Sequence, residues 1–194
     1  MLINLEGIDG CGKSTQSQFL IKEFEKNDEK TILLKEPTNG KYGEKLWEML
    51  RGKREATTEE ILELFILDRK EHVNEKIKPA LEQGKIILMD RYYYSTMAYQ
   101  AAAGIDVSRI RKDNEFAPKP DIVLIFDLPA DLAMKRVRGH SVADIFEKEE
   151  HLEKVRKAYL NLEDDPLVRI IDATRTPKEI FDEVWRLVSE VRNG

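Results

Sequence analysis

Residues 7–15 match the pattern G-x-x-x-x-G-K-[ST], in which a glycine-containing turn leads directly into a lysine and a hydroxyl side chain. Glycines let the backbone N–H groups of such a turn close around phosphate oxygens, because no Cβ stands in the way. Lys13 is then expected to reach the β- and γ-phosphates of a nucleoside triphosphate, and the Ser14 hydroxyl to ligate Mg²⁺. The predicted phosphate loop consists of Gly7, Ile8, Asp9, Gly10, Cys11, Gly12, Lys13, Ser14 and Thr15.

The segments on either side of this loop support the prediction. Residues 2–6 form a short apolar run typical of a buried strand, and residues 16–25 place Leu20 and Phe24 one helical turn apart. The loop would therefore lie at a helix N-terminus, where the helix dipole adds positive potential. This context disfavours the alternative of a chance glycine turn.

Further apolar runs at 31–34, 86–89, 122–126 and 168–171 indicate strands separated by helices. This alternation predicts an α/β protein with three layers, in which helices flank a mainly parallel five-stranded sheet. Ligands then bind at the carboxyl ends of the strands, where Gly7, Lys35, Asp90 and Asp127 fall. The expected helices cover 41–51, 57 or 58 to about 81 with a bend near Pro79, 95–103, 130–137, 147–162 and 177–191, with a mobile loop at 138–146.

Two aspartates end apolar strands and compete for one role. In phosphate-loop enzymes a carboxylate at such a position organises Mg²⁺. Either residue could instead be a satisfied strand-end carboxylate or a helix cap, but only Asp90 has an arginine beside it. We therefore favour Asp90 over Asp127 as the metal-organising carboxylate. Arg91 could bridge donor and acceptor phosphates and stabilise the charge of the transferring group.

Composition indicates which partners and which cellular compartment to expect. The chain has 194 residues and a net charge of −5, which fits a single domain over residues 1–194 and argues against a general nucleic-acid binder. No apolar stretch approaches the roughly 18 residues of a membrane helix. The phosphate loop starts at residue 7, so we expect no targeting segment before it, and the single cysteine fits a reducing cytoplasm.

Two groups of aromatic and polar residues remain ambiguous when considered alone. Phe65 and Arg69 share a helical face and could be an aromatic plate for a base with a guanidinium at its edge, or a core phenylalanine beside a surface arginine. The tyrosines at 92–94 and Tyr99, followed by Gln100, could pack in the core or line a substrate pocket. The histidines at 72, 140 and 151 lack metal-ligand spacing and are predicted to be non-catalytic surface residues.

Taken together, these motifs resemble the thymidylate kinase family over nearly the whole chain. Residues 6–16 resemble that family's phosphate loop, 65–69 its base-binding helix, and 90–100 its most specific signature. Lys35-Glu36-Pro37 stands where the family usually has Arg-Glu-Pro, which keeps the charge but loses bidentate geometry. The resemblance implies a three-layer P-loop kinase fold with a mainly parallel five-stranded sheet flanked by helices. It also implies phosphoryl transfer from MgATP to dTMP, giving dTDP and ADP in dTTP synthesis, by a homodimer that pairs through helices.

The resemblance also implies roles for individual residues. Asp9 would lie near the sugar 3′-hydroxyl, Lys35 would hold the acceptor phosphate, and Arg91 would clamp the phosphates. Arg136 would lie near the donor adenine. The implied nucleoside pocket contains Phe65, which stacks on thymine, Arg69, which hydrogen-bonds the edge of the base, and Ser95, Tyr99 and Gln100.

One departure from the family leaves a charge unassigned. The family supplies a charge-stabilising arginine from the phosphate loop or from the lid, but here Gly10 and Ile145 occupy those positions. Arg138 is the nearest candidate in the lid segment, at about 138–146. Two alternatives to the dTMP kinase stay open: a kinase for another nucleoside monophosphate or a deoxynucleoside, and a nucleotide-switched ATP- or GTP-binding module. The sequence lacks the Asn-Lys-x-Asp loop that a GTPase would use to recognise guanine.

Overall fold

The computed structural model describes residues 1–136 and 142–193. Its strands are β1 (Leu2–Glu6), β2 (Thr31–Lys35), β3 (Ile86–Asp90), β4 (Ile122–Asp127) and β5 (Val168–Asp172). They form a five-stranded sheet in the order β2-β3-β1-β4-β5, and every neighbouring pair is parallel. The predicted α/β architecture is therefore confirmed.

The helices cover both faces of this sheet. Strands β1 and β3 are buried along their whole length and β4 almost so, as expected for the inner strands of a parallel sheet between helical layers. The helices are α1 (Lys13–Lys26), α2 (Lys41–Leu50), α3 (Thr58–His72), α4 (Lys78–Glu82), α5 (Tyr93–Ala102), α6 (Val107–Asp113), α7 (Ala130–Arg136), α8 (Val142–Leu160) and α9 (Pro177–Asn193). Among the residues described, no helix is both long and apolar enough to span a membrane.

The long helix predicted from residue 57 or 58 is interrupted. It starts with a capping box, in which the Thr57 hydroxyl accepts from the Glu60 N–H and the Glu60 carboxylate accepts from the Thr57 N–H. It then passes through a π-helical segment, Val73–Ile77, before α4. The irregularity precedes Pro79 because proline lacks an N–H and its ring crowds the carbonyl four residues earlier.

The structure differs from the sequence-based expectation in two further places. Helix α6 was not predicted, because Ile110 is the one buried residue among its seven. Asp106 caps this helix by accepting from the N–H groups of Ser108 and Arg109. The mobile loop predicted at 138–146 is wrong over 142–146, where α8 has already begun. The remainder of that loop, including Arg138, lies outside the described residues.

The sheet register brings the strand ends to one edge. Lys35 pairs with Asp90, Asp90 pairs with Leu5, and Glu6 pairs with Ile125. The phosphate loop leaves this edge directly after β1. The predicted position of Gly7, Lys35, Asp90 and Asp127 at the carboxyl ends of the strands is thus confirmed.

Candidate active site

The phosphate loop closes tightly against β4 and opens into α1. Gly7 has φ 129°, and a Cβ there would lie 2.6 Å from the Phe126 carbonyl oxygen, so only glycine fits. Gly12 caps α1 in the left-handed region, and the helix starts at Lys13. The N–H groups of Thr15 and Gln16 bond the Gly12 carbonyl at 3.0 and 3.1 Å. The N–H groups of Lys13 and Ser14, which precede them, have no backbone acceptor among the described residues and are available to an anion.

Lys13 is buried within its own loop. Its Nζ donates to the Gly7 carbonyl at 2.9 Å and the Ile8 carbonyl at 3.1 Å, and lies 3.6 Å from Cys11 Sγ. Burial and the nearby positive charge of Arg91 lower the pKa of Lys13. An anionic ligand next to Nζ would relieve both effects, which makes this amine a favourable phosphate contact.

A cleft of about 300 Å³ opens beside the loop. Of the residues described, four cationic side chains and two carboxylates line it, a balance that suits a polyphosphate. The cleft brings together Asp9, Gly10, Gly12, Lys13, Ser14, Thr15, Lys35, Asp90, Arg91 and Arg136, all of them predicted site residues. Arg136 approaches from α7, with long hydrogen bonds to the carbonyls of Gly10 (3.5 Å) and Ala173 (3.3 Å).

The two strand-end aspartates have different surroundings. Asp90 Oδ2 lies 3.5 Å from Lys35 Nζ, and its buried Oδ1 has no hydrogen-bond partner among the described residues. Asp127 instead receives both Nε and Nη2 of Arg156, at 2.5 and 2.9 Å. Asp90 and the exposed hydroxyl of Ser14 therefore offer the oxygen ligands that suit Mg²⁺, which usually binds one or two protein oxygens together with substrate phosphates.

Arg91 is held in a strained backbone conformation at the end of β3. Its φ of 71° is unusual for a residue with a side chain, and its N–H bonds the Leu5 carbonyl at 3.1 Å. Its Nη2 donates to Asp9 Oδ1 at 2.7 Å, and its guanidinium lies 5.3 Å from the ring centre of Tyr99. Burial would raise the pKa of Asp9, but the charges of Arg91 and Lys13 outweigh it and hold that pKa below its ordinary value.

The predicted base-binding residues lie on α3 and α5, which pack against each other. Phe65 is half-buried, whereas Arg69 is fully buried. Arg69 donates from Nε to Glu36 Oε2 (2.8 Å), from Nη1 to Asn114 Oδ1 (2.6 Å) and from Nη2 to Thr96 Oγ1 (3.1 Å). Each guanidinium nitrogen thus already has a protein partner, and a contact to a base edge would use the N–H groups that remain.

The same face of α3 anchors the loop that follows β2. His72 Nδ1 lies 3.0 Å from Glu36 Oε1, and Asp68 accepts from the Thr38 N–H (2.9 Å) and hydroxyl (2.5 Å). The prediction that His72 is a surface residue is therefore wrong, since its ring is buried against a carboxylate. Asp68 and His72 hold the segment that carries Lys35 towards the cleft.

On α5, Tyr99 and Gln100 occupy different environments. Tyr99 is half-buried with its hydroxyl 3.4 Å from Arg91 Nη2. Gln100 is buried, and its Oε1 has no hydrogen-bond partner among the described residues. A buried amide oxygen without a partner is costly unless a ligand supplies a donor, so Gln100 remains a reasonable candidate for substrate contact.

Comparison with known proteins decides the family. A family model for thymidylate kinases matches residues 5–184. The chain belongs to the thymidylate kinase family. It is 44% identical to a thymidylate kinase of Desulfotalea psychrophila, over 98% of this chain and 95% of that protein. Probable thymidylate kinases of Thermococcus gammatolerans and Archaeoglobus fulgidus are 42% and 40% identical, over 98% and 100% of this chain and 96% and 97% of their own lengths.

Two residues of this site were not predicted from the sequence. Glu6, the last residue of β1, is fully buried and accepts the N–H groups of Tyr92 (2.8 Å) and Ser95 (3.2 Å), so it caps α5, whose own N-cap side chain makes no capping bond. Tyr159 of α8 donates to the same carboxylate at 2.9 Å. A charged residue ending an apolar strand was a signal for Glu6; nothing local marks Tyr159, which lies 153 positions away in the sequence.

Proposed function

We propose that this chain transfers the γ-phosphoryl group of MgATP to dTMP, giving dTDP and ADP in the synthesis of dTTP. The observation that carries the proposal is the convergence of Lys13, Lys35 and Arg91 on one cleft, beside the α3–α5 face with its aromatic and polar side chains. A nucleotide switch needs the phosphate loop but not an acceptor site next to it.

The chemistry requires alignment and charge neutralisation rather than a covalent intermediate. The N–H groups at the start of α1 and Lys13 bind the donor phosphates, and Lys35 binds the phosphate of the acceptor. Arg91 contacts the transferring group between them and is oriented by Asp9. Mg²⁺, held by Ser14 and Asp90, would neutralise charge on the donor phosphates. Both nucleotides bind before direct transfer, so no phosphorylated enzyme forms.

The acceptor pocket favours thymine over other bases. Phe65 stacks on any base, so selectivity depends on the edge of the base and on pocket size. Arg69 only donates hydrogen bonds, which favours the 4-carbonyl of thymine or uracil over the amino group of cytosine. Tyr99 would clash with a ribose 2′-hydroxyl, while Ser95 and Gln100 line the pocket. One buried methyl group contributes roughly 10- to 100-fold, so dUMP should be the slower of the two good acceptors.

The missing family arginine is assigned to Arg138 in this proposal. If its guanidinium neutralises the transferring group, Arg138→Ala lowers kcat by about 10²-fold or more. Steady-state kinetics with saturating ATP and dTMP measures this. An unchanged kcat would leave Arg136 or backbone N–H groups as the source of the charge.

The assembly and setting follow the family resemblance. We expect one kinase domain over residues 1–194, in the cytoplasm, forming a homodimer through helices that include α3, with neither nucleic acid nor a membrane as a partner. Its mass in solution at micromolar concentration tests the dimer, and a monomeric mass would refute it.

The acceptor panel is the direct test of the proposed reaction. The protein is incubated with ATP, Mg²⁺ and, separately, dTMP, dUMP, dCMP, UMP and purine monophosphates, and the diphosphate products are quantified. The expected order is dTMP, then dUMP, with the others far behind. If dCMP or a purine monophosphate were the best acceptor, the roles of Phe65 and Arg69 would be wrong. Slow ATP hydrolysis with no acceptor phosphorylated would instead favour a nucleotide-switched module.

A further inference from the structure

A buried hydroxyl cluster lies directly behind the guanidinium of Arg91. Tyr159 is 1% exposed, and its hydroxyl is 2.9 Å from Glu6 Oε2, 3.3 Å from Arg91 Nη1 and 2.8 Å from Ser95 Oγ. The Ser95 hydroxyl bonds the same two groups, at 2.5 Å to Glu6 Oε2 and 3.1 Å from Arg91 Nη1. Two hydroxyls therefore link one buried carboxylate to one guanidinium.

The chemistry of Arg91 fixes one end of these hydrogen bonds. A guanidinium only donates, so Tyr159 and Ser95 both accept from Arg91. Each hydroxyl has a single O–H, which it donates to Glu6 or, in the 2.8 Å contact between the two hydroxyls, to the other. Burial and the nearby charge of Glu6 raise the pKa of Tyr159, which keeps that proton in place.

Five hydrogen-bond donors converge on the buried carboxyl group of Glu6: the Asn4 amide, the N–H groups of Tyr92 and Ser95, and the hydroxyls of Ser95 and Tyr159. Burial has the largest effect and raises the pKa of Glu6, while these donors and the charge of Arg91 act in the opposite direction. The cluster thus places the Arg91 guanidinium next to a buried carboxyl group, with one layer of hydroxyl groups between them.

The ring of Tyr159 supports Arg91 as well. It packs edge-on against the Tyr99 ring, with centroids 6.3 Å apart and planes at 90°. Tyr99 in turn carries the Arg91 guanidinium over its face, 5.3 Å from the ring centre. Arg91 is therefore fixed from behind by a hydroxyl of α8 and from the side by a ring that α8 supports.

We propose that Tyr159 is a positioning residue for phosphoryl transfer: its hydroxyl, with that of Ser95, holds the Arg91 guanidinium against Glu6 in the orientation that meets the transferring phosphoryl group. This inference rests on the proposed function, because it assigns Arg91 to the reacting phosphates. Tyr159 itself touches no substrate in this role. Its effect on the rate passes through Arg91 alone.

The test begins with Tyr159→Phe, which keeps the ring and removes only the hydroxyl. A hydrogen bond to a charged group corresponds to about tenfold or more, so kcat for dTMP should fall about tenfold while KM for ATP stays unchanged. The matched control is Tyr94→Phe, since the Tyr94 hydroxyl is also attached to a buried ring but bonds Asp165 at 3.0 Å, away from Arg91. The control should retain the wild-type kcat. Equal losses in both variants would overturn the proposal.

A double-mutant cycle separates positioning from a general structural effect. In an Arg91→Ala background, Tyr159→Phe should cause no further loss of kcat, because the group it orients is absent. If the double variant lost kcat by the product of the two single-variant factors, Tyr159 would act independently of Arg91, and the proposal would be overturned. Both variants are compared with their parents by thermal unfolding, so that loss of fold is recognised.

A measurement of Arg91 mobility in the absence of dTMP tests the positioning role separately from the proposed reaction. Nitrogen-15 NMR of the guanidinium should show separate signals for the two Nη groups of Arg91 in the wild type, and merged signals in Tyr159→Phe, where rotation is freer. If the wild type failed to phosphorylate dTMP, the proposed function would fall, while this experiment would still test the restraint. Unchanged signals in Tyr159→Phe would overturn the positioning role whatever the acceptor.

Discussion

The phosphate end and the base end of the site are built in opposite ways. Among the described residues, Asp90 at the phosphate end keeps a buried carboxylate oxygen without a partner, and Lys13 bonds only carbonyls and a thiol of its own loop. At the base end, Arg69, Glu36 and Asp68 are buried and bonded to other side chains. The phosphate end leaves the Asp90 oxygen to a ligand, whereas the Arg69 cluster at the base end has its polar groups bonded within the protein. At the base end, Gln100 Oε1 is an exception, since it has no partner among the described residues.

This difference indicates that the phosphate end serves ligand binding and catalysis, whereas the base end also stabilises the fold. A buried polar group without a partner costs free energy, and a ligand that supplies the missing hydrogen bond recovers that free energy on binding. The phosphate end has this property. The Glu36–Arg69–His72 cluster recovers no such free energy on ligand binding, because its groups already have protein partners. It stabilises the loop after β2 whether or not a nucleotide is present. Variants at the two ends should therefore affect different measurable quantities.

The largest effect is expected at the phosphate end, from Lys13→Ala. Removal of the ammonium takes away a charge that the donor phosphates and the transition state both use, and kcat/KM should fall on the order of 10³-fold. The melting temperature should hardly change, since Lys13 bonds two loop carbonyls and Cys11 Sγ and no other group in the described part of the chain. Lys26→Ala, at the other end of α1 and paired on the surface with Glu23, is the control. Near wild-type turnover in Lys13→Ala would remove the phosphate loop from the mechanism.

Arg91→Ala should have the next largest effect. Its guanidinium is assigned to the transferring group, so kcat should fall by about 10²-fold and ATP affinity by much less. Steady-state kinetics and equilibrium ATP binding measure the two separately. Arg109→Ala, which removes an exposed guanidinium paired with Glu59 and Asp113, should leave both unchanged. A loss confined to ATP binding would assign Arg91 to the donor alone.

Arg69→Ala should act mainly on stability. It leaves the Glu36 carboxylate buried, with His72 as its one remaining side-chain partner among the described residues, and breaking a buried pair in this way costs about 3–5 kcal/mol. If Arg69 also contacts the base edge, the preference for dTMP over dCMP should shrink. Glu36→Gln disturbs the same cluster without touching the base, and should lower stability while keeping the preference. Loss of preference in both variants would mean that loop position, not Arg69, selects the base.

The smallest effect is expected from Asp127→Asn. Its bidentate pair with Arg156 is partly exposed, so the loss should be about 1 kcal/mol in unfolding free energy with kcat unchanged. Asp90→Asn is the counterpart and should lower kcat and raise the Mg²⁺ concentration needed for activity. Equal kinetic losses in the two variants would contradict the assignment of Asp90 as the metal-organising carboxylate.

Periodic and local signals predicted most of the fold. The inner strands are continuous apolar runs, and the phosphate loop is a contiguous motif, so both could be predicted from neighbouring residues alone. Helix α6 was not predicted, because seven residues with one buried apolar side chain give too weak a periodic signal. The start of α8 was placed late, although Val142, Ile145 and Phe146 have helical spacing, because residues 138–146 were interpreted as one loop around Gly139.

Long-range polar contacts could not be predicted in this way. Sequence spacing places Phe65 and Arg69 on one helical face but does not reveal that Arg69 bonds Glu36, 33 positions earlier, and Asn114, 45 positions later. Nor does it reveal that Tyr159 reaches Glu6. Such partners depend on the strand order, because crossing connections bring β1, β3 and the helices after them together. The sequence predicts the residue types of the site better than their partners.

The coupling of ATP consumption to acceptor phosphorylation tests the central claim most directly. ADP and dTDP are quantified in the same reaction with limiting dTMP, and again with dTMP omitted. A direct transfer predicts equal amounts of ADP and dTDP, and ADP formation at background level without dTMP. ADP formation that continues at the same rate without dTMP would contradict the account, because the phosphate end would then be acting on water rather than on the acceptor.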